Sequence, residues 1–361
     1  MDRRKFLKAG SMAALASGMN FNLTDSGLMS LTDESIEPDQ WQKAFMDLKF
    51  GMFVHFGINT FYDREWSEGD LDPSAYNPAQ LDTDQWCRVA RDAGMKYLVF
   101  TAKHHDGFCN WSTSYTDYSV LSTPFKKDVL ELLASSARKY GLKLGLYYSL
   151  WDSNNVLHNT NEHAYVEFMK AQLEELLNNY GDILLIWFDG FWKKQQSGWK
   201  LPDGSDPSPG QFIHSWRMEG AHRWEIDHLY RYIKELQPGC LVMNNATSKF
   251  KAVPLHPVDA LCGERALTYK DYQRVWEFSG NKRYYPFQIE TTMSSKGNER
   301  FPGGNWFWHE WDDSVISRET IREYLALADK MNANLLLNVG PKANGKLREE
   351  DVEVLGGRFM V

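Results

Sequence analysis

Eight times between Gly51 and Val339 a short apolar run ends in polar residues, and amphipathic stretches fill most of the intervals. The runs are Gly51–Gly57, Tyr97–Ala102, Leu142–Leu150, Ile183–Asp189, Cys240–Asn245, Val258–Gly263, Phe287–Thr292 and Ala333–Val339. The fourth, Ile183 to Phe188, is unbroken and apolar before it reaches Asp189, which suits a strand covered on both faces by helices. The intervals carry helical signals. Leu81–Gly94 opens after Asp82 and Thr83 and stops at Gly94, and Val129–Tyr140 stops at Gly141. Tyr165, Met169, Leu173, Leu176 and Tyr180 repeat at three and four, as do Leu229, Ile233 and Leu236, and Ile321, Leu325 and Ala328. Strands alternating with helices predict an α/β fold, a (β/α)8 TIM-like barrel. Little helical pattern separates the fifth, sixth and seventh strands, so that side is expected to be irregular. A doubly wound open sheet is the competing arrangement, but no G-x-G-x-x-G follows a first strand.

Charge and composition remove several function classes. The 48 acidic residues exceed the 40 basic ones, and the signs are interleaved. No basic stripe exists to track a phosphate backbone, which argues against nucleic acid. No apolar stretch is long enough for a membrane span. Asp2-Arg3-Arg4-Lys5-Phe6-Leu7-Lys8, followed by small apolar residues from Ala9 to Met19, resembles a twin-arginine export signal. Residues 1–25 are therefore set aside as a signal for a periplasmic or extracellular protein, leaving 26–361 for the barrel. Cys87, Cys109, Cys240 and Cys262 lack C-x-x-C spacing, and buried free thiols are expected. The 14 Trp, 17 Tyr and 20 Phe lean towards a site that stacks on sugars, although a large core also consumes aromatics.

Polar groups collect at one end of every run. His55 follows the first, Lys103-His104-His105-Asp106 the second, and Tyr147-Tyr148-Ser149 the third. Asp189 ends the fourth, Asn244-Asn245 the fifth, Glu264-Arg265 the sixth, Glu290 the seventh and Asn338 the eighth. In a barrel these ends converge on one pocket. Carboxylates among imidazoles and aromatics suit hydrolysis of a glycosidic bond, one carboxylate attacking the anomeric carbon and a second protonating the leaving oxygen. His104-His105-Asp106 could instead ligate a metal, but neighbours on an extended strand point to opposite faces, so no metal is expected. No G-x-S-x-G elbow supports a serine nucleophile.

Phe50-Gly51-Met52-Phe53-Val54-His55-Phe56-Gly57, Glu65-Trp66, Lys103-His104-His105-Asp106-Gly107-Phe108, Gly145-Leu146-Tyr147-Tyr148-Ser149, Trp187-Phe188-Asp189-Gly190 and Asn334-Leu335-Leu336-Leu337-Asn338-Val339-Gly340-Pro341 resemble the α-L-fucosidases of glycoside hydrolase family 29. The likeness runs from Trp41 to Lys346. It implies a retaining exo-hydrolase for terminal α-L-fucose on oligosaccharides or glycoconjugates, working without a cofactor. By position Asp189 matches the nucleophile. His55, Glu65, Trp66, His104, His105 and Tyr148 match substrate-binding positions, and Trp306 an aromatic near the sugar methyl. For the acid/base, Glu264 is the first choice and Glu290 the alternative; the acid should be the carboxyl with the raised pKa.

Two departures stand out. An Asn-x-Arg expected after the fifth strand reads Asn244-Asn245-Ala246, and the chain reaches Val361 without an appended β-sandwich domain. These departures keep open a non-catalytic carbohydrate-binding protein; a barrel glycosidase for α-L-galactosides, which share fucose stereochemistry and add a hydroxyl at C6, is a separate alternative. Oligomeric state is not fixed by the sequence.

Overall fold

The computed structural model describes residues 36–191, 224–245, 254, 256–278, 280–297 and 303–359. The segment expected to be an export signal, residues 1–25, and the Lys193–Arg217 insertion lie outside them. In chain order the strands are β1 Phe50–Val54, β2 Tyr97–Lys103, β3 Lys143–Ser149, β4 Ile183–Asp189, β5 Leu241–Asn244 and β6 Leu261–Glu264, then a hairpin of β7 Val275–Phe278 and β8 Asn281–Tyr284, then β9 Phe287–Thr292 and β10 Ala333–Asn338. Each of the eight expected runs is a strand, and the antiparallel hairpin is an addition. The eight form one parallel sheet in the order β5-β4-β3-β2-β1-β10-β9-β6.

That order brings β5 and β6 to the two edges, and the sheet curls until they meet in a nearly closed barrel. No regular ladder joins them. At the lower end of the seam the Asp259 amide donates to the Val242 carbonyl (2.7 Å), and the Asp259 carboxylate accepts from the Val242 amide (2.9 Å). Higher up, the Cys262 thiol donates to the Asn244 carbonyl at 3.1 Å. The irregular side expected around the fifth to seventh strands is therefore this seam and the hairpin beyond it.

Helices cover the outside, with ends set by local chemistry. Asp82 and Asp128 accept from backbone amides to cap the helices Thr83–Ala93 and Val129–Tyr140. Gly94 and Gly141 close the same helices in the left-handed conformation that a glycine adopts without steric cost. The helices Glu162–Asn179, Ile226–Leu236 and Arg318–Lys330 match the other periodic stretches.

Strand parity then sorts every side chain. Phe53, Tyr97, Val99, Tyr147, Leu185, Trp187, Leu241, Met243, Cys262 and Leu336 fill the barrel interior. Their alternates, among them Met52, Leu98, Phe100, Leu146, Tyr148, Ile186, Phe188 and Ile289, pack against the helices. Period-two alternation leaves no choice in this. All four cysteines are buried thiols outside any disulfide.

Candidate active site

Following the inward parity to the strand ends gives the site. On β1 it reaches His55, on β3 Tyr147 and Ser149, on β4 Asp189, beyond β5 Asn245, on β6 Glu264, on β9 Glu290 and on β10 Asn338. The β2 register slips between Thr101 and Lys103. Beyond the slip Lys103 faces the helices, and the chain turns at Gly107, whose φ of 89° no side chain adopts easily.

That turn corrects one expectation. His104 and His105 do not point to opposite faces: the strand has already ended, and their rings lie 4.1 Å apart on the same side. Opposite facing therefore no longer keeps the two imidazoles from a shared metal ion; among the described residues no three His, Cys, Asp or Glu side chains are placed to hold one.

Tyr148 is a second correction. It sits on the outward parity, where its hydroxyl accepts from Lys103 Nζ (3.0 Å) and donates to Gln172 Oε1 (2.6 Å) in the helix layer. Tyr147, its inward neighbour, takes the place expected of it. The Tyr147 hydroxyl donates to Asp189 Oδ2 at 3.0 Å and lies 3.3 Å from His105 Nε2. Burial, and next the negative charge of Asp189, push this phenol well above the usual range, so it stays protonated and remains a donor.

Asp189 is held from both sides. Its Oδ1 accepts from the Gly190 amide (2.7 Å) and from Asn245 Nδ2 (3.1 Å). Gly190 turns at φ 72°, and a Cβ there would lie 2.7 Å from Trp151 Cβ, so the turn that aims this amide requires glycine. His105 Nε2 is 3.6 Å from Asp189 Oδ2, with Nδ1 fixed by Ser149 Oγ at 2.6 Å.

The two glutamates separate cleanly. Glu264 opens to solvent, with 28% of its side chain exposed against 16% for Asp189. Asn245 Nδ2 also donates to Glu264 Oε2, at 2.8 Å. One nitrogen thus spans both carboxylates, bringing their oxygens within about 6 Å, compatible with the ~5–5.5 Å of a retaining pair. Glu290 is fully buried below them. It accepts from Trp187 Nε1 (3.3 Å) and from the Gly263 amide (3.0 Å), so both oxygens face protein. Burial raises its pKa well above the ordinary carboxylate range, and the charge of Glu264 adds to the rise. A raised pKa was expected to mark the acid; here it marks depth, in a group whose two oxygens both accept from protein N–H groups. Geometry takes precedence over pKa in such a choice.

Aromatic and imidazole rings wall the site. Trp187 stacks on Tyr147 with centroids 5.4 Å apart. His55 lies 5.2 Å from Trp306 and 5.4 Å from Phe307, and its Nδ1 meets Asn338 Oδ1 at 2.7 Å. Burial, then the neighbouring His104, hold His55 well below the usual imidazole range, so it is neutral near pH 7. Trp66 meets His105 edge to face at 4.9 Å. Glu65 has a structural task as well: its Oε1 accepts from the Phe307 amide (3.0 Å) and pairs with His309 Nε2 (3.0 Å), whose Nδ1 meets Asp63 at 2.8 Å. This ties the segment bearing Trp66 to the one bearing Trp306. A cation stands just past β6 instead of after β5: Arg265 lies over the Trp306 ring, 5.0 Å from its centroid, and reaches the Gly304 carbonyl at 2.7 Å.

Tyr147, Asn245, Phe307 and Asn338 complete the cluster although the sequence did not single them out as ligands. Parity counted back from Asp189 through Trp187 and Leu185, and matched across β3, would have chosen Tyr147 over Tyr148.

A profile of the family described as Alpha-L-fucosidase matches residues 22–359. Alpha-L-fucosidase 1 of Arabidopsis thaliana is 31% identical over 332 residues, spanning 88% of this chain and 57% of its own length. Among solved structures, a glycoside hydrolase 29 family member from an unknown rumen bacterium superposes with a TM-score of 0.69 at 29% identity, over 88% of this chain and 55% of the other. Alpha-L-fucosidase isoenzyme 1 from Paenibacillus thiaminolyticus gives 0.70 at 27% identity, over 88% and 74%. The chain therefore spans little more than half the length of the plant relative.

Proposed function

This chain belongs to the α-L-fucosidase family, and from that premise we propose that it is a retaining exo-α-L-fucosidase acting on terminal fucose of oligosaccharides or glycoconjugates. The observation that carries the reading is the accessible carboxylate pair, Asp189 and Glu264, facing one cluster of imidazoles and aromatic rings with Glu290 sealed beneath.

In the first step Asp189 attacks the anomeric carbon, Glu264 gives its proton to the glycosidic oxygen, and the aglycone leaves as an alcohol. The product is a fucosyl ester on Asp189. In the second step Glu264, now a carboxylate, takes a proton from water as the water oxygen attacks the same carbon. Asp189 leaves as a carboxylate, and fucose departs with its anomeric configuration kept. Tyr147 keeps Asp189 Oδ2 aimed while charge drains from it. Neutral His55 and the two other imidazoles can hold sugar hydroxyls, and Trp66 and Trp306 offer faces to the apolar side of the ring.

The test is release of free fucose from an aryl α-L-fucoside, followed by Asp189→Ala. Full turnover by a folded variant would exclude this assignment. The Asp2–Lys8 segment and the small residues after it support export by the twin-arginine route, which fusion of residues 1–25 to a reporter would check.

A further inference from the structure

Among the described residues, the site straddles the β5–β6 seam, where no ladder joins the strands. Asp189 stands on β4, whose pairing with β5 is regular, while Glu264 stands on β6, across the seam. A ladder fixes neighbouring strands through repeated backbone bonds, so strand ends that flank it keep their spacing without help. Across this seam isolated bonds replace the ladder, the one nearest the site being the Cys262 thiol on the Asn244 carbonyl, and a shift of a few tenths of an ångström would alter the distance between the two carboxylates. Near-attack geometry tolerates little such slack.

Asn245 is the first residue past β5, with its amide nitrogen donating to the Phe188 carbonyl at 2.9 Å. Its backbone is therefore anchored to the strand that carries Asp189. Its side chain is nearly buried, and from there Nδ2 spends one hydrogen on Asp189 Oδ1 (3.1 Å) and the other on Glu264 Oε2 (2.8 Å). An amide nitrogen has two hydrogens and no lone pair to offer, so it can serve two carboxylates at once. Among the described residues, the other hydrogen bonds and ion pairs given for the two carboxylates each reach one member of the pair, although Tyr147 also feels the charge of Glu264. His105 and Tyr147 face Asp189; Arg265 lies 3.9 Å from Glu264, and Glu290 lies beneath it.

We infer that Asn245 is the positioning residue that sets the separation of Asp189 and Glu264 across the β5–β6 seam. The inference rests on the fucosidase reading above, since it assigns those two groups as nucleophile and acid/base. Asn245 touches neither sugar nor reacting atoms; it acts through the carboxylates. It supplies the same donor to both, so its position fixes the two together.

The experiment measures kcat and KM of the full chain on an aryl α-L-fucoside for wild type, Asn245→Ala and Asn245→Asp, with a thermal melt of each. Alanine should lower kcat about 10- to 100-fold while KM stays within about threefold, the pattern of an interaction that acts on the chemical step. Aspartate, of the same shape but with no hydrogen to give either carboxylate, should lose kcat at least as much. If alanine does not fold, aspartate decides alone. Unchanged kcat, or a loss carried by KM with kcat in place, would overturn the positioning role while leaving the fucosidase reading intact. A folded wild type that releases no fucose would overturn both.

Discussion

Two polar clusters stand at the same end of the barrel, on opposite sides of the same strands. On the outer side, Lys103 Nζ meets Asp152 Oδ2 at 3.1 Å, Tyr148 at 3.0 Å and Tyr165 at 3.3 Å, and the Lys103 and Asp152 side chains are 0% and 3% exposed. On the inner side, Asp189 and Glu264 share an amide, and no lysine or arginine lies within 4 Å of Asp189 among the described residues. A buried charge is costly without a counter-charge and full hydrogen bonding. The outer cluster satisfies that rule and closes itself off. The inner one keeps two carboxylates together at an opening, an arrangement that adds little to stability and suits chemistry that needs both.

Variants that exchange the expected behaviour of the two clusters test the contrast. Asp189→Ala should lower kcat on the order of 10^4-fold with an unchanged melting temperature, and a melt that falls with little loss of rate would reverse the assignment. Glu264→Ala should cost about 10^2- to 10^4-fold on a poor leaving group, much less on an activated aryl fucoside, and be rescued by azide. If Glu290→Gln shows that pattern in its place, the choice between the glutamates is wrong.

On the outer side, Lys103→Met should cost about 3–5 kcal/mol of stability by leaving Asp152 buried and unpaired. Denaturant titration reads this, and KM for the fucoside should hold. The adjacent tyrosines give the finest comparison. Tyr147→Phe should reduce kcat roughly 10-fold or more by removing a donor to Asp189. Tyr148→Phe should spare kcat and cost about 1–3 kcal/mol, since Gln172 and Lys103 lose a buried partner. Equal effects on rate would contradict the parity that separates them.

The smallest effect concerns pH. Glu290 holds its proton to a higher pH in the fold than in the unfolded chain, where it ionises near the ordinary carboxylate value. Its contribution to stability is therefore complete below about pH 4.5 and is lost as pH rises through the folded value, at roughly 1.4 kcal/mol per pH unit. Urea midpoints of wild type and Glu290→Gln at pH 5 and pH 7 should converge as pH rises. Parallel midpoints would mean that Glu290 is charged in the fold.

The barrel was legible because its strands are covered on both faces and announce themselves as apolar runs; the boundaries of β4 and β9 coincide with theirs. Convergence of polar strand ends was legible for the same reason, and it brings His55, His104, His105, Asp189 and Glu264 together. The choice between Tyr147 and Tyr148 failed because apolar residues on both faces of β3 conceal which side is which. The facing of His104 and His105 failed because a register slip and a turn intervene, and neither shows in the period of the run. Asn245 escaped because the seam that makes it useful is a property of how the sheet closes, which no single strand reveals.

The most direct measurement is to trap the sugar on the protein. Incubation with a 2-deoxy-2-fluoro-α-L-fucosyl substrate bearing a good leaving group slows the second step more than the first, and peptide mass spectrometry then locates the adduct. The expected result is one sugar attached to Asp189 in the peptide containing Ile183–Asp189. An adduct on Glu264 or Glu290, or turnover with inverted product and no adduct, would contradict the account.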